Sequence, residues 1–325
     1  GANGSARTRW ELERDGEFSL ESCVELAWML GFIVYSNKRD YCGWMDAETK
    51  EPIRALDVKA RFEERILAST GIRVIDPAMS DGWDPERKRM FKDVVLEVDS
   101  EWMTVADKTE ASEFVREHGE KAIVKEVDGE VFVKLKAGCT IVVTKALKYD
   151  AFVAAQLPSG WDAARFGMPE EFSYKIDPTT QYCMVAVAEA FFYAGVSDFY
   201  EIFKYIHVSE LGYSIGSAWG GGRSLARMFQ QRRMDNAKLF PDLIEEIFVN
   251  TVGAWINLLQ MSASGAIHAT VGTCATGAVS LATAAKYIRD GETRIMVTGG
   301  VEDVLEEFCV EFHTMNATAN HATEL

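Results

Sequence analysis

Val271-Gly272-Thr273-Cys274-Ala275-Thr276-Gly277 decides how this chain is read. Ahead of it, Ala266 to Thr273 alternates like a strand. Behind it, a small-residue stretch of helical character runs to Asp290, and Gly291 stands where a helix stops. The run T-R-I-M-V-T-G-G, Thr293 to Gly300, reads as a second strand. Cys274 therefore falls at a strand-to-helix turn inside a β-α-β unit. Backbone N–H groups and the helix dipole at such a turn favour the thiolate, the nucleophilic form. Gly272, Ala275 and Gly277 are small enough for a substrate carbonyl to approach the backbone, where the N–H of Cys274 is a natural oxyanion donor. A buried core cysteine is the plain alternative.

The 325 residues suit one large or two ordinary domains, and 48% apolar content is enough for a core. No apolar run is long enough to span a membrane. The first residues, G-A-N-G-S-A-R-T-R-W, carry neither a signal peptide nor an initiator Met, as expected of a piece of a longer polypeptide. Six scattered cysteines without C-x-x-C point to a reducing compartment, the cytoplasm, and away from zinc or a disulfide framework. A net charge of −16 argues against nucleic acid and anionic membrane as partners.

Residues 1–138 read as a mixed α+β lead-in. Leu20 to Phe32 has helical spacing, with Leu20, Val24, Ala27 and Trp28 on one face. Val58 to Thr70 is a second helix stopped by Gly71, and Ile123 to Leu135 a hairpin around Asp128-Gly129. From Cys139 onward the reading is a layered α/β arrangement. C-T-I-V-V-T is a buried strand. Asp177-Pro178 caps a helix from Thr179 to Ala194 that ends at Gly195, and another helix spans Pro241 to Met261.

The segment S-A-S-G-A-I-H-A-T-V-G-T-C-A-T-G, then a helix, then I-M-V-T-G-G-V-E-D, resembles the nucleophile region of β-ketoacyl synthases on the thiolase fold. The runs G-E-F-S-L-E-S-C-V-E-L-A-W-M-L-G-F-I, Y-K-I-D-P-T-T, Y-E-I-F-K-Y-I-H-V-S-E and E-F-H-T-M-N-A-T-A-N resemble the α subunit of fungal type I fatty acid synthases, from about Trp10 to Leu325. The resemblance implies an α/β chain. Residues 139–325 would form the N-terminal half of a thiolase-like α-β-α-β-α fold, and Cys274 would take an acyl chain from a carrier and condense it with malonyl carrier. It places the two catalytic histidines after Leu325, so these residues alone would not condense anything. His118 is read as a surface residue, His268 as an interface residue and His313 as structural; neither His207 nor His321 matches a catalytic motif. Two readings stand: the nucleophile half of a synthase, or a non-catalytic scaffold piece of the multienzyme. A true thiolase fits less, since it has no place for the extended match.

Gly216 to Gly222, G-S-A-W-G-G-G, lacks the Gly-Lys-Ser/Thr of a phosphate loop, and taken alone is a tight turn. The resemblance places it beside the acyl pocket, where long-chain fungal synthases carry G-S-G-M-G-G. Ala218 and Trp219 replace Gly and the adaptable Met, and with Gly220 they would bind the acyl chain in a shortened tunnel. A short product, hexanoyl, follows, as in the hexanoate synthases that feed a polyketide synthase; a long-chain synthase is the alternative. The implied partners are an acyl carrier protein bearing substrates on phosphopantetheine, a second α subunit, a β subunit and a polyketide synthase; no cofactor is implied in this segment. Arg223, Arg227, Arg232, Arg233 and Lys238 could guide an acidic carrier or form a solvated helix face.

Overall fold

The structure is a computed structural model that describes residues 4–80, 88–147, 153–233, 243–259, 264–303 and 305–318. The described residues up to 80 and from 153 to 318 form one compact unit, and 88–147 lie in another.

The first unit opens with helices α1 (Ala6–Asp15) and α2 (Leu20–Met29), the hairpin β1 (Ile33–Asn37) and β2 (Cys42–Asp46), helix α3 (Ala55–Ala68) and strand β3 (Ile72–Val74). Ser19 caps α2 by accepting from the Ser22 N–H at 3.2 Å. The buried face of α2 is Cys23, Leu26 and Ala27 with Met29, packed on Val58, Phe62 and Ile66 of α3. Leu20, Val24 and Trp28 only flank it. The expected face was rotated because α3 crosses on the Cys23–Leu26 side. Gly71 follows α3 at φ +74°, the left-handed stop its position implied.

The second unit holds β4 (Lys88–Val95), β5 (Met103–Val105), α4 (Lys108–His118), β6 (Ala122–Val127), β7 (Glu130–Leu135) and β8 (Thr140–Leu147). The sheet β5-β7-β6 packs Val105, Val131, Val133 and Leu135 with Ala111 of α4. Asp128 and Gly129 lie at φ 54° and 86°, the type I′ geometry that the Asp-Gly pair predicts. Strand β8 is correct as a strand but not as a buried one. It pairs with β4 in a two-stranded ribbon, and Val142 is 63% exposed. A ribbon of two strands has no second layer of its own to cover that face.

The chain re-enters the first unit through β9 (Val153–Ala155), which pairs antiparallel with β3. Gln156 seals the junction: its Nε2 donates to the Arg73 carbonyl at 3.0 Å, and its Oε1 accepts from the Asp76 N–H at 2.8 Å. There follow α5 (Phe172–Lys175), α6 (Pro178–Tyr193), α7 (Phe199–Ile202), β10 (Leu211–Gly216), α8 (Gly222–Arg233), α9 (Leu243–Ile247), α10 (Thr251–Leu259), β11 (Ile267–Thr270), α11 (Thr276–Arg289), β12 (Ile295–Gly300) and α12 (Glu306–Thr314). Strands β11, β10 and β12 form a parallel sheet in that order, with β10 buried throughout. Tyr213 and Ile215 of β10 join Cys183 and Val187 of α6 and Val252 and Ile256 of α10 in one core cluster. The alternate residues, Gly212, Ser214 and Gly216, leave the opposite face low, and α11 lies there. Helix, sheet and helix are thus stacked around a central strand whose two faces differ in size.

Asp177 ties three helices together. One carboxylate oxygen caps α6 at the Thr179 N–H, 2.9 Å away. The other accepts from the Ser224 N–H and hydroxyl of α8, at 2.9 and 2.8 Å. Its own N–H donates to Glu246 of α9 at 2.9 Å, and Trp255 Nε1–H donates to the second Glu246 oxygen at 3.0 Å. Burial pushes the Glu246 carboxyl above its usual range. The single helix expected over 241–261 is two, α9 and α10, within the described residues. A Cβ on Gly220 would stand 2.4 Å from the Ile247 carbonyl oxygen, and one on Gly221 2.1 Å from that of Glu246, so the chain is interrupted where the glycine loop packs.

Asp177→Ala should lower stability by about 2–4 kcal/mol, the sum of a lost cap and buried donors left unpaired. Urea denaturation measures it; Asp177→Asn, which keeps one acceptor, should recover part of the loss.

Candidate active site

Strand β11 ends at Thr270, and the chain turns through Val271 and Gly272 into a 3₁₀ turn, Thr273–Ala275, before α11. Thr273 sits at φ +49°, a strained position for a β-branched residue. Side chains hold it there. Thr276 Oγ1 donates to the Thr273 carbonyl at 2.7 Å and accepts from the Gly272 N–H at 2.9 Å, while Thr273 Oγ1 donates to the Gly272 carbonyl at 2.8 Å. The strain lifts Cys274 to the end of the sheet, where it is exposed, with no acidic residue in the first turn of α11.

Helix α11 reaches this position because the strand ends are glycine. A Cβ on Gly216 would stand 2.3 Å from Thr276 Cγ2, and one on Gly300 2.9 Å from the Cα of Gly277. Any side chain at these places would push the cysteine turn off the sheet.

Cys274 lines a cavity of about 750 Å³ with Ala218, Trp219, Val271, Phe308 and Phe312. The Trp219 indole stacks on the Phe308 ring, centroids 4.2 Å apart and planes 25° from parallel. Glu302, just after β12, accepts from the Ala218 N–H and from the Ser217 hydroxyl, and Ser217 Oγ accepts from the Gly220 N–H at 2.8 Å. Of the sequence-derived site residues, Cys274, Ala218 and Trp219 come together at this cavity. Gly220 does not line it; its φ of +67° lets the loop turn against the Ile247 carbonyl. Phe308, Phe312 and Glu302 escaped the sequence reading, although the four-residue spacing in E-E-F-C-V-E-F marks a two-aromatic helix face.

Cys309 lines the same cavity, but burial, reinforced by Asp303 and Glu306, pushes its thiol up to about 11, so it is protonated at neutral pH. Arg223 is not available to dock a carrier. It forms a bidentate pair with Asp303, both side chains 9% exposed, and donates to the Met79 carbonyl at 3.0 Å. The side chains of Arg232 and Arg233, and Lys238 altogether, lie outside the described residues. His268 Nδ1 lies 3.2 Å from Thr270 Oγ1 on β11, and His207 caps the turn before β10. His118 packs near Phe114 and His313 ends α12, while His321 lies outside the described residues. Among the described residues, no histidine lines the Cys274 cavity.

The family described as Beta-ketoacyl synthase, N-terminal domain, matches residues 134–324. The chain belongs to the β-ketoacyl synthases. It is 44% identical over 327 residues to the fatty acid synthase subunit alpha of Saccharomyces cerevisiae, covering 99% of this chain and 17% of that protein. The subunit alpha of Penicillium patulum is 43% identical over 327 residues, with 99% and 18% covered. The chain thus spans under a fifth of the length of these relatives and corresponds to their ketoacyl synthase region. The ketosynthase FabY from P. aeruginosa shares the fold, with a TM-score of 0.74 at 22% identity over 93% of this chain and 46% of that one. The thiolase-like α/β fold expected for the synthase segment is therefore the one present. No helix among the described residues is long and apolar enough to cross a membrane.

Native-state alkylation should follow exposure. Iodoacetamide should modify Cys274 and the exposed Cys42 in the folded chain, and reach buried Cys23, Cys139 and Cys183 only after denaturation, as read by peptide mass spectrometry.

Proposed function

We propose that this segment carries the acyl-accepting half of a β-ketoacyl-carrier synthase, with residues 1–138 as its lead-in. The supporting observation is Cys274, exposed at a helix N-terminus and opening into an apolar cavity. The Cys274 thiolate attacks the thioester carbonyl of an acyl group borne on the phosphopantetheine of a carrier protein. The carbonyl oxygen gains negative charge, which the backbone N–H of Cys274 stabilises as an oxyanion donor. Collapse breaks the carrier C–S bond, leaves the acyl group on Cys274, and gives the carrier thiol the proton that Cys274 lost. Malonyl carrier then loses CO₂, its α-carbon attacks the acyl-Cys274 carbonyl, and the thiolate is expelled. Acyl transfer is the step assigned to residues of this chain. In the complete synthase, Cys274→Ala should abolish acylation while leaving the fold intact. Labelling of that variant by a cysteine-directed inhibitor such as cerulenin would overturn the assignment.

The rigid Trp219 beside Ala218 supports a short product, hexanoyl, which a polyketide synthase could take up as a starter. Each further two-carbon unit needs about 1.6 kcal/mol worth of buried methylenes, and a wall in their place adds roughly 1–3 kcal/mol of overpacking. The resulting discrimination is about two to three powers of ten per step, enough to stop elongation. Trp219→Met with Ala218→Gly should lengthen the products of the complete synthase; an unchanged distribution would place the limit elsewhere.

The sheet order leaves the outer edge of β11 without a strand partner among the described residues, and Ile267 and Val271 are 52% and 54% exposed. A second copy of the synthase segment pairing there would cover this edge. A β subunit would complete the multienzyme. Ile267→Lys should weaken that pairing, seen as a lower mass in analytical ultracentrifugation.

A further inference from the structure

We propose that Phe308 is a second specificity-determining residue of the acyl site, acting by holding the Trp219 indole across the cavity. The proposal rests on the reading that Trp219 bounds the acyl chain.

The backbone around Trp219 is fixed on both sides. Before it, Glu302 accepts from the Ala218 N–H and the Ser217 hydroxyl. After it, Gly220 and Gly221 lie against the carbonyls of Ile247 and Glu246 too closely for any side chain. What stays free is rotation of the indole about its two side-chain bonds. Trp219 is 46% exposed, so its surroundings cannot confine it from every direction. A wall residue free to swing toward solvent sets no sharp limit, because the growing chain displaces it.

The Phe308 ring removes that freedom, stacked at 4.2 Å on the indole. Phe308 is itself fixed relative to the same loop. It lies on α12, and Leu305, just before that helix, packs onto Gly222 at the start of α8, where a Cβ would stand 2.2 Å from Leu305 Cδ1. Loop and helix therefore keep register, and the two rings form one plate beside Cys274. Phe312, one helical turn further on, continues the same wall.

The test uses the complete synthase as wild type, Phe308→Ala, Phe308→Leu, Trp219→Met and the double variant Phe308→Ala/Trp219→Met. Acylation of Cys274 by hexanoyl- and octanoyl-pantetheine thioesters is followed by mass spectrometry, giving kcat/KM for each. Protection of the buried Cys23, Cys139 and Cys183 from iodoacetamide verifies that each variant is folded. Phe308→Ala should raise the octanoyl-to-hexanoyl ratio at least about tenfold, the discrimination that a methylene-sized change in an apolar wall supplies. Phe308→Leu, which keeps bulk but not the flat ring, should raise it as well. The double variant should exceed Trp219→Met by less than twofold, since both changes act through one indole. A ratio raised by Trp219→Met but not by Phe308→Ala overturns the role of Phe308 and leaves the Trp219 reading standing. Full additivity in the double variant also overturns it, because Phe308 would then meet the acyl chain by itself. If Trp219→Met leaves the ratio unchanged, the reading of Trp219 fails and this proposal with it.

Discussion

Everything at the cysteine depends on how closely a helix end can approach the ends of two strands. Gly216, Gly277 and Gly300 form a contact in which backbone meets backbone, with the first turn of α11 seated on the sheet. The seat allows Thr273 to be held at positive φ by the hydroxyl of Thr276, and Cys274 projects from that strained turn. The asymmetry of β10 serves the same end. Its large residues Tyr213 and Ile215 join α6 and α10 in the core, while its small residues face α11 and supply proximity. One strand thus separates the requirements of stability from those of chemistry.

The features legible in the sequence were those whose cause is local. Asp177-Pro178 names a helix start, Asp128-Gly129 a hairpin turn, and V-G-T-C-A-T-G a strand-to-helix turn, because each conformation is fixed by the residues that adopt it. The missed features have causes remote in the chain. The break between α9 and α10 comes from Gly220 and Gly221, more than twenty residues upstream. Arg223 looked like part of a basic face because its partner, Asp303, lies eighty positions away. The exposure of β8 reflects a sheet with two strands, which a run of Ile and Val cannot reveal. Within the site, the shared position of Cys274 and Trp219 at one cavity was legible, and the aromatic ring opposite Trp219 was not, since stacking depends on how α12 is set against the glycine loop.

The two carboxylates after β12 divide labour with little overlap. Asp303 is consumed by Arg223 and secures the start of α8, and Glu302 turns to the loop that carries Ala218 and Trp219. The wall of the cavity is therefore anchored to the same strand whose last glycine seats the cysteine helix. Movement of one side of the cavity relative to the other would have to break charge-assisted hydrogen bonds, which makes its wall rigid.

The pairing of β3 with β9 bears on how the chain folds. Ile72 sits opposite Ala155, so the first unit closes across some eighty intervening residues that build a unit of their own. The entropy of closing such a loop grows only with the logarithm of its length, so the excursion costs the finished fold little. It costs time, because contacts distant in sequence form late. The β6–β7 hairpin joins neighbours in sequence and can form first, and the pairing of β4 with β8, Lys88 opposite Leu147, then draws the ends of the gap together. On this account the antiparallel staple and the Gln156 seal are assembled after the excursion, and the cysteine turn, which needs the ends of three separate strands, waits for β11, β10 and β12 to come together.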